Sequence, residues 1–190
     1  KFKHSELMPV FIDYTRFQFN EIQNPTVIYH GNLSVSENIL AAEWLIENVF
    51  SKLKFNCVIA GKSPVDSLVK SVAMYENIKL LADPSKEVLD SLIQTSAVTV
   101  LPTFQPTGIK LKLIDSLMQG KHCLVNEMML TGTSLHPFCH LASKPEEFIA
   151  EIGKLIVVPF TESDFEKRKT HLKNYFNNEK YVNRIKELIQ

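Results

Sequence analysis

Charge of one sign is the first thing this chain lacks, because its 21 Lys and Arg balance its 21 Asp and Glu. With no net field, nothing argues for nucleic acid or an anionic membrane as partner, and any recognition of a phosphate group has to be local. The chain also has no long apolar run and no leader pattern, so it offers no segment to span a bilayer, while a peripheral membrane contact stays open. Its three cysteines, Cys57, Cys123 and Cys139, contain no C-x-x-C pair. An odd count without metal-type spacing suits a reducing compartment better than a disulfide framework, and the expected location is the cytoplasm, extending to the inner face of the membrane. His30, His122, His136 and His140 stand at no metal-ligand spacing from carboxylates or cysteines, so neither a metal nor another cofactor is expected. Also missing are the G-x-G-x-x-G dinucleotide fingerprint, the G-x-x-x-x-G-K-[ST] loop and the G-x-S-x-G elbow, which sets aside three large enzyme classes.

What is present is one grammar used repeatedly, and it is clearest from Ser96 to Asn126. Ala97 to Leu101 reads as a buried strand stopped by Pro102. Gly108 opens a helix over Ile109 to Gln119, with Ile109, Leu113, Ile114, Leu117 and Met118 at helical spacing, and Gly120 ends it before the strand His122 to Val125. Upstream, Thr26 to His30 is a strand followed by a helix that Ser34 and Glu37 are placed to start as a capping box. Phe55 to Ala60 and Asn77 to Leu81 are further strands, each followed by a polar residue and a proline, Ser63-Pro64 and Asp83-Pro84, placed as cap and first helical residue. A brief strand is expected over Phe138 to Leu141, and a helix from Pro145 to Ile156. The fold class is therefore α/β: a doubly wound, Rossmann-like parallel sheet of about six strands with helices on both faces. Residues 1–24 read as an extended linker, 25–158 as the Rossmann-like domain, and 159–190 as two C-terminal helices.

Such sheets bind ligands at the carboxyl ends of their strands, near the point where strand order reverses. The loops collected there carry Gly31, Asn32 and Ser34, then Gly61 and Lys62, then Ala82 and Asp83, then Thr107, Gly108, Ile109, Lys110 and Lys112. Lys110 and Lys112 fall in or near the first turn of a helix, where the macrodipole is positive. Two readings stand: both lysines face water at a small cost, or the turn holds a phosphate, with Lys62 converging on the same anion. Asp115 likewise admits an intrahelical pair with Lys112 or a role as acceptor for sugar hydroxyls.

Tyr29-His-Gly-Asn-Leu-Ser34 with Glu37-Asn38, Ile59-Ala-Gly-Lys62, and Thr107-Gly-Ile-Lys-Leu-Lys112 leading to Gly120-Lys-His-Cys-Leu-Val125 resemble the C-terminal, donor-binding domain of B-type glycosyltransferases, specifically the retaining family 4 branch that builds bacterial surface polysaccharides. The resemblance implies that the crevice holds the diphosphate of a nucleotide sugar of UDP, GDP or ADP type. The base would lie near Ala82 and Asp83, the ribose near Asp115, and the phosphates near Gly108 to Lys112. It also implies that a saccharide or lipid-linked acceptor and most catalytic groups belong to an N-terminal domain to which the last two helices cross back, this chain being the donor half of a longer enzyme. Two departures stand out. The family's paired glutamates, eight positions apart, correspond here to Thr107 and Asp115, and its first-loop Arg and Lys to Asn32 and Glu37. The competing readings are a non-catalytic Rossmann-like binding module and a sugar-nucleotide epimerase on the same fold.

Overall fold

A computed structural model of the chain describes residues 8–20, 25–105 and 110–189. Six strands form the sheet: β1 Thr26–Asn32, β2 Asn56–Lys62, β3 Ile78–Ala82, β4 Val98–Leu101, β5 His122–Val125 and β6 His140–Leu141. All pair in parallel, in the order β3-β2-β1-β4-β5-β6. The doubly wound parallel sheet expected from the sequence is the observed architecture.

Strand β1 is central and apolar on both faces, as a parallel strand covered by helices must be. Val27 and Tyr29 join the large core beneath helix α1 (Ser36–Asn48), where Ala41, Ala42, Leu45 and Ile46 are fully buried. Ile28 and Ala60 pack on the other face with Ile93 of α3 (Lys86–Thr95). Each such fully buried aliphatic side chain contributes roughly 1.5–3 kcal/mol. Helix α2 (Asp66–Val72) accompanies α1, while α4 (Leu111–Gln119) lies beside α3 and meets the Ile28 face of β1 through Ser116 and His30. Crossovers therefore change face between the two halves of the sheet, and strand order reverses between β1 and β4.

Three helix starts differ from the sequence reading, each because a side chain has another partner. Helix α1 begins at Ser36 without a side-chain cap: Ser34 donates to Asn32 Oδ1 instead, and Glu37 turns away toward the β4 loop. Gly61 and Lys62 belong to β2 itself, and Ser63 adopts φ 50° with its N–H donating to Asp83 Oδ1 at 2.8 Å, so α2 starts later, after Val65. Asp83, also left-handed at φ 49°, is spent on that bond, and Ser85 caps α3.

After β5 come α5 (Glu127–Leu130), a 3-10 turn at His136–Phe138, and α6 (Pro145–Leu155). Helix α7 (Glu162–Tyr175) is opened by a Thr161–Asp164 capping box, and α8 (Asn178–Ile189) closes the chain with no buried residue among those described. Among the described residues before β1, 8–20 and Pro25, none joins a strand. This segment makes a 3-10 turn at Tyr14–Arg16 and is bound to the start of α8, with Asn178 Nδ2 donating to Ile12 O at 2.8 Å and Tyr14 Oη to Phe176 O at 2.8 Å. Among the described residues, no helix is long and apolar enough to cross a membrane.

Candidate functional site

The switch point between β1 and β4 is built by backbone proximity first. A Cβ on Gly61 would stand 1.8 Å from Gly31 O, so the ends of β1 and β2 close together only because residue 61 has no side chain. Leu33 N donates to Lys62 O at 2.8 Å and Asp83 N to Gly61 O at 2.9 Å, extending the joined strand ends across β3. Asn32 holds its own loop by accepting from Ser34 N and Oγ at 3.1 and 2.8 Å.

On the other side of the reversal stands the start of α4. Thr107, Gly108 and Ile109 lie outside the described residues; α4 itself begins at Leu111, with Lys110 as its cap position. Lys112 is directed at the end of β1: its Nζ donates to Asn38 Oδ1 at 2.8 Å and to Tyr29 Oη at 3.3 Å, and sits 5.0 Å from the centre of the Tyr29 ring. The Asn38 side chain is in turn the group that a Cβ on Gly31 would meet, at 3.1 Å. Burial pulls the Lys112 ammonium down to about 8, with Glu37 working against that and Lys110 reinforcing it. Lys110 is the more buried of the two, donating to Gln105 O at 2.8 Å and lying 3.4 Å from Glu37 Oε1. Glu37 also accepts from the Thr103 hydroxyl. Burial pushes the Glu37 carboxyl up, but Thr103 and Lys110 outweigh it and leave it below its ordinary value.

The expected site residues thus separate into two groups. Gly31, Lys110 and Lys112 come together around Glu37, Asn38 and Tyr29 at the reversal. Lys62 is exposed at the end of β2, opposite Asn32 in register; Ala82 and Asp83 are exposed at the end of β3, two strands from β1. Asp115 is half-buried and pairs with Arg16, not with Lys112. The Arg16 guanidinium also reaches Asp90 at 2.9 Å, tying the segment before β1 to α3 and α4. Burial pushes the Asp115 carboxyl up, with Arg16 pulling the other way.

His30 ends inside the protein. Its Nε2 lies 2.7 Å from Ser116 Oγ, which donates to Lys112 O at 2.8 Å. A serine hydroxyl has one proton to give, so His30 Nε2 carries the proton in the His30–Ser116 bond. Burial holds its pKa down to about 3, and the neutral ring supports the helix that presents Lys112. Beside Lys110 opens a cavity of about 380 Å³ with largely apolar walls from Ile114, Leu135, Tyr175 and Phe176. Among the described residues, no group of three or more His, Cys, Asp or Glu is placed to hold a metal.

The sequence gives no sign that Thr103 joins this cluster or that Arg16 pairs with Asp115. Tyr29, Glu37 and Asn38 stand in the motif that carries the resemblance but have no site contact assigned there; Arg16 lies 99 residues from Asp115 and gives no local signal.

No protein-family model matches the chain. Among curated proteins, an uncharacterized 44.6 kDa protein in the cps region of Klebsiella pneumoniae is 24% identical in an alignment of 125 residues that covers 60% of this chain and 30% of that one. Among solved structures, Staphylococcus aureus TarM, determined with UDP, superposes with a TM-score of 0.72 at 12% identity over 98% of this chain and 40% of its own. A glycosyltransferase from Rickettsia africae gives 0.69 at 13% identity, covering 88% of this chain and 48% of its own. A sucrose-phosphate synthase from Thermosynechococcus elongatus gives 0.70 at 14%, covering 97% and 51%. The chain has the fold of these B-type glycosyltransferases. It spans about half the length of each and a smaller part of the Klebsiella relative.

Proposed function

We propose that this chain is the donor-binding half of a glycosyltransferase that moves a sugar from a nucleotide-diphosphate sugar to a saccharide or lipid-linked acceptor. The observation that carries the reading is Lys112: a half-buried ammonium in the first turn of α4, facing the end of β1 at the reversal of strand order. A cation there opposes the helix dipole and gives up hydration, a placement that becomes favourable when an anion enters. As a glycosidic bond breaks, negative charge grows on the departing diphosphate. A preformed ammonium and helix-start amides then stabilise the transition state more than the ground state. Asp115, oriented by Arg16, keeps an acceptor for ribose hydroxyls, and the exposed ends of β2 and β3, with Lys62, Ala82 and Asp83, form the floor for the base. The cps-region relative and the UDP complex of TarM support surface-polysaccharide assembly and a UDP-type donor as the first to try. The acceptor and its catalytic groups would belong to an N-terminal domain, toward which α8, with Val182, Ile185, Leu188 and Ile189 exposed, is the candidate connection.

One observation favours a second reading. Glu37 places a carboxylate among the two lysines, which reduces the local positive charge and suits a binding module that carries no diphosphate. Calorimetric titration of the chain with UDP, GDP and ADP decides between them. Weak binding of one of them, lost in Lys112→Ala, supports the donor site; no measurable binding of any at millimolar ligand overturns it.

A further inference from the structure

Strands β5 and β6 pair with Leu124 opposite His140. One residue earlier on each segment stand Cys123 and Cys139, so the same register sets the two cysteines face to face and sends both side chains to the same side of the sheet. Opposed residues on neighbouring strands lie about 4.8 Å apart, inside the roughly 4.4–6.8 Å Cα window that a disulfide spans without backbone movement. The two thiols are close enough to interact electrostatically. They differ in access. Cys123 is buried, whereas Cys139 is half-buried and lines a cavity of about 280 Å³ together with His122, His140, Lys167, Arg168 and Asp164. Arg168, fully buried, interacts electrostatically with both sulfurs and lines the same cavity. The remaining cysteine, Cys57, is buried on β2, three strands from β5, with its thiol pushed up to about 12 by burial.

We propose that Cys123 and Cys139 are a redox modification site, oxidised to a reversible disulfide by a hydroperoxide. The Cys139 thiolate attacks one peroxide oxygen; the O–O bond breaks, the other oxygen leaves with a proton as water, and Cys139 becomes a sulfenic acid. The Cys123 sulfur, losing its proton, then attacks the Cys139 sulfur; the S–O bond breaks and hydroxide leaves as a second water. Two thiols have lost two electrons and two protons, and hydrogen peroxide has become two waters. Cys123 is the resolving partner because it is buried, whereas Cys139 lines the cavity that a peroxide can enter; the neighbouring Cys139 side chain and burial also push the Cys123 thiol well above the ordinary range. A dithiol reductant reverses the reaction. The site lies at the edge of the sheet and depends on no reading of the crevice.

The test treats the intact chain with hydrogen peroxide, counts thiols after denaturation and maps the products by mass spectrometry. No Lys or Arg lies between residues 123 and 139, so trypsin leaves both in one peptide that loses two hydrogens, and cleavage after Glu127 yields two linked peptides. The expected result is loss of two of the three thiols, a Cys123–Cys139 link, and full recovery with dithiothreitol. In Cys123→Ser, Cys139 should be trapped as a dimedone-reactive sulfenic acid. Retention of all three thiols, a link that involves Cys57 or a second chain, or sulfinic acid at Cys139 without a link would overturn the proposal. Absence of the dimedone adduct in Cys123→Ser would do the same.

Discussion

Basic side chains flank both ends of helix α4, and the two ends treat them differently. Past its C-terminus, Lys121 donates to Gln94 O, and Arg168 of α7 donates to Lys121 O at 2.7 Å and to Gly120 O. Those acceptors are carbonyls where α3 and α4 finish, the negative pole of each dipole, and the Arg168 guanidinium also lies 4.7 Å from the centre of the Phe160 ring. At the N-terminus, Lys112 faces the positive pole and is held by an amide oxygen and a phenol. One end has cations that complete a fold. The other has a cation placed against the helix dipole, where Glu37 offsets only part of the charge of Lys110 and Lys112. Burial alone does not separate the two cases, since it lowers the Lys112 and Lys121 ammonium groups to about 8 alike; the direction of the helix does.

The largest effect should come from the end that is already complete. Arg168→Met removes a fully buried guanidinium and leaves the Gly120 and Lys121 carbonyls without donors. Charge-assisted bonds of this kind should cost about 3 kcal/mol together, or a fall of roughly 10 °C in Tm for a domain of this size. Urea and thermal unfolding measure the loss, and nucleotide affinity below the transition should be unchanged. A variant that folds normally but binds nucleotide poorly would erase the distinction between the ends.

Next in size is Lys112→Ala, with the opposite signature. Folding stability should move by less than about 1 kcal/mol, since the lost bonds are offset by removing an ammonium that opposes the dipole. Diphosphate affinity should fall by roughly tenfold or more, about 1.4 kcal/mol. Titration with pH sharpens this. The native state releases the Lys112 proton at about 8 and the unfolded chain near the ordinary 10.5. Between those values the unfolded state binds more protons, so this group's contribution to stability rises with pH there. Anion binding needs the charged form, so affinity should decline as pH climbs past about 8. Lys112→Arg, charged throughout, should flatten that decline. A wild-type profile level from pH 7 to 9.5 would show that Lys112 does not face the ligand.

Most of the scaffold was legible beforehand because hydrophobic period and Gly or Pro punctuation are local signals. Val27 to Tyr29, Ala41 to Ile46 and Leu113 to Met118 announce strand or helix within a few residues, and the parallel order follows from the crossovers. The side-chain wiring around the reversal of strand order was not legible. Ser34 and Glu37 have capping-box spacing, yet Glu37 finds a stronger partner in Lys110 and the Thr103 hydroxyl, 73 and 66 residues away. Asp115 has ion-pair spacing from Lys112, yet a guanidinium 99 residues distant outcompetes it. Spacing rules describe what a side chain reaches along its own helix. They carry no information about what the fold brings from elsewhere, and charged side chains near a crevice have most to gain from distant partners.

The smallest predicted effect is also the one that decides how the N-terminal end of α4 is used. Glu37→Gln keeps the shape of the side chain and an oxygen for Thr103, and it removes one negative charge from a cluster otherwise made of Lys110 and Lys112. The wild-type carboxyl lies below its ordinary value, so it is ionised at neutral pH and the substitution changes the charge by a full unit. If the end of α4 awaits an anion, diphosphate affinity should rise by about three- to tenfold, roughly 0.7–1.4 kcal/mol, as expected for a like charge withdrawn from a partly solvated site. Salt should reduce that gain, because the interaction lies within a Debye length of solvent. If Glu37 is instead the permanent counter-ion that makes the N-terminal end as self-sufficient as the C-terminal one, the substitution should destabilise the fold by about 1 kcal/mol or more and leave nucleotide binding at zero. The sign of one affinity change therefore tells whether the two ends of this helix are different devices or the same one built twice.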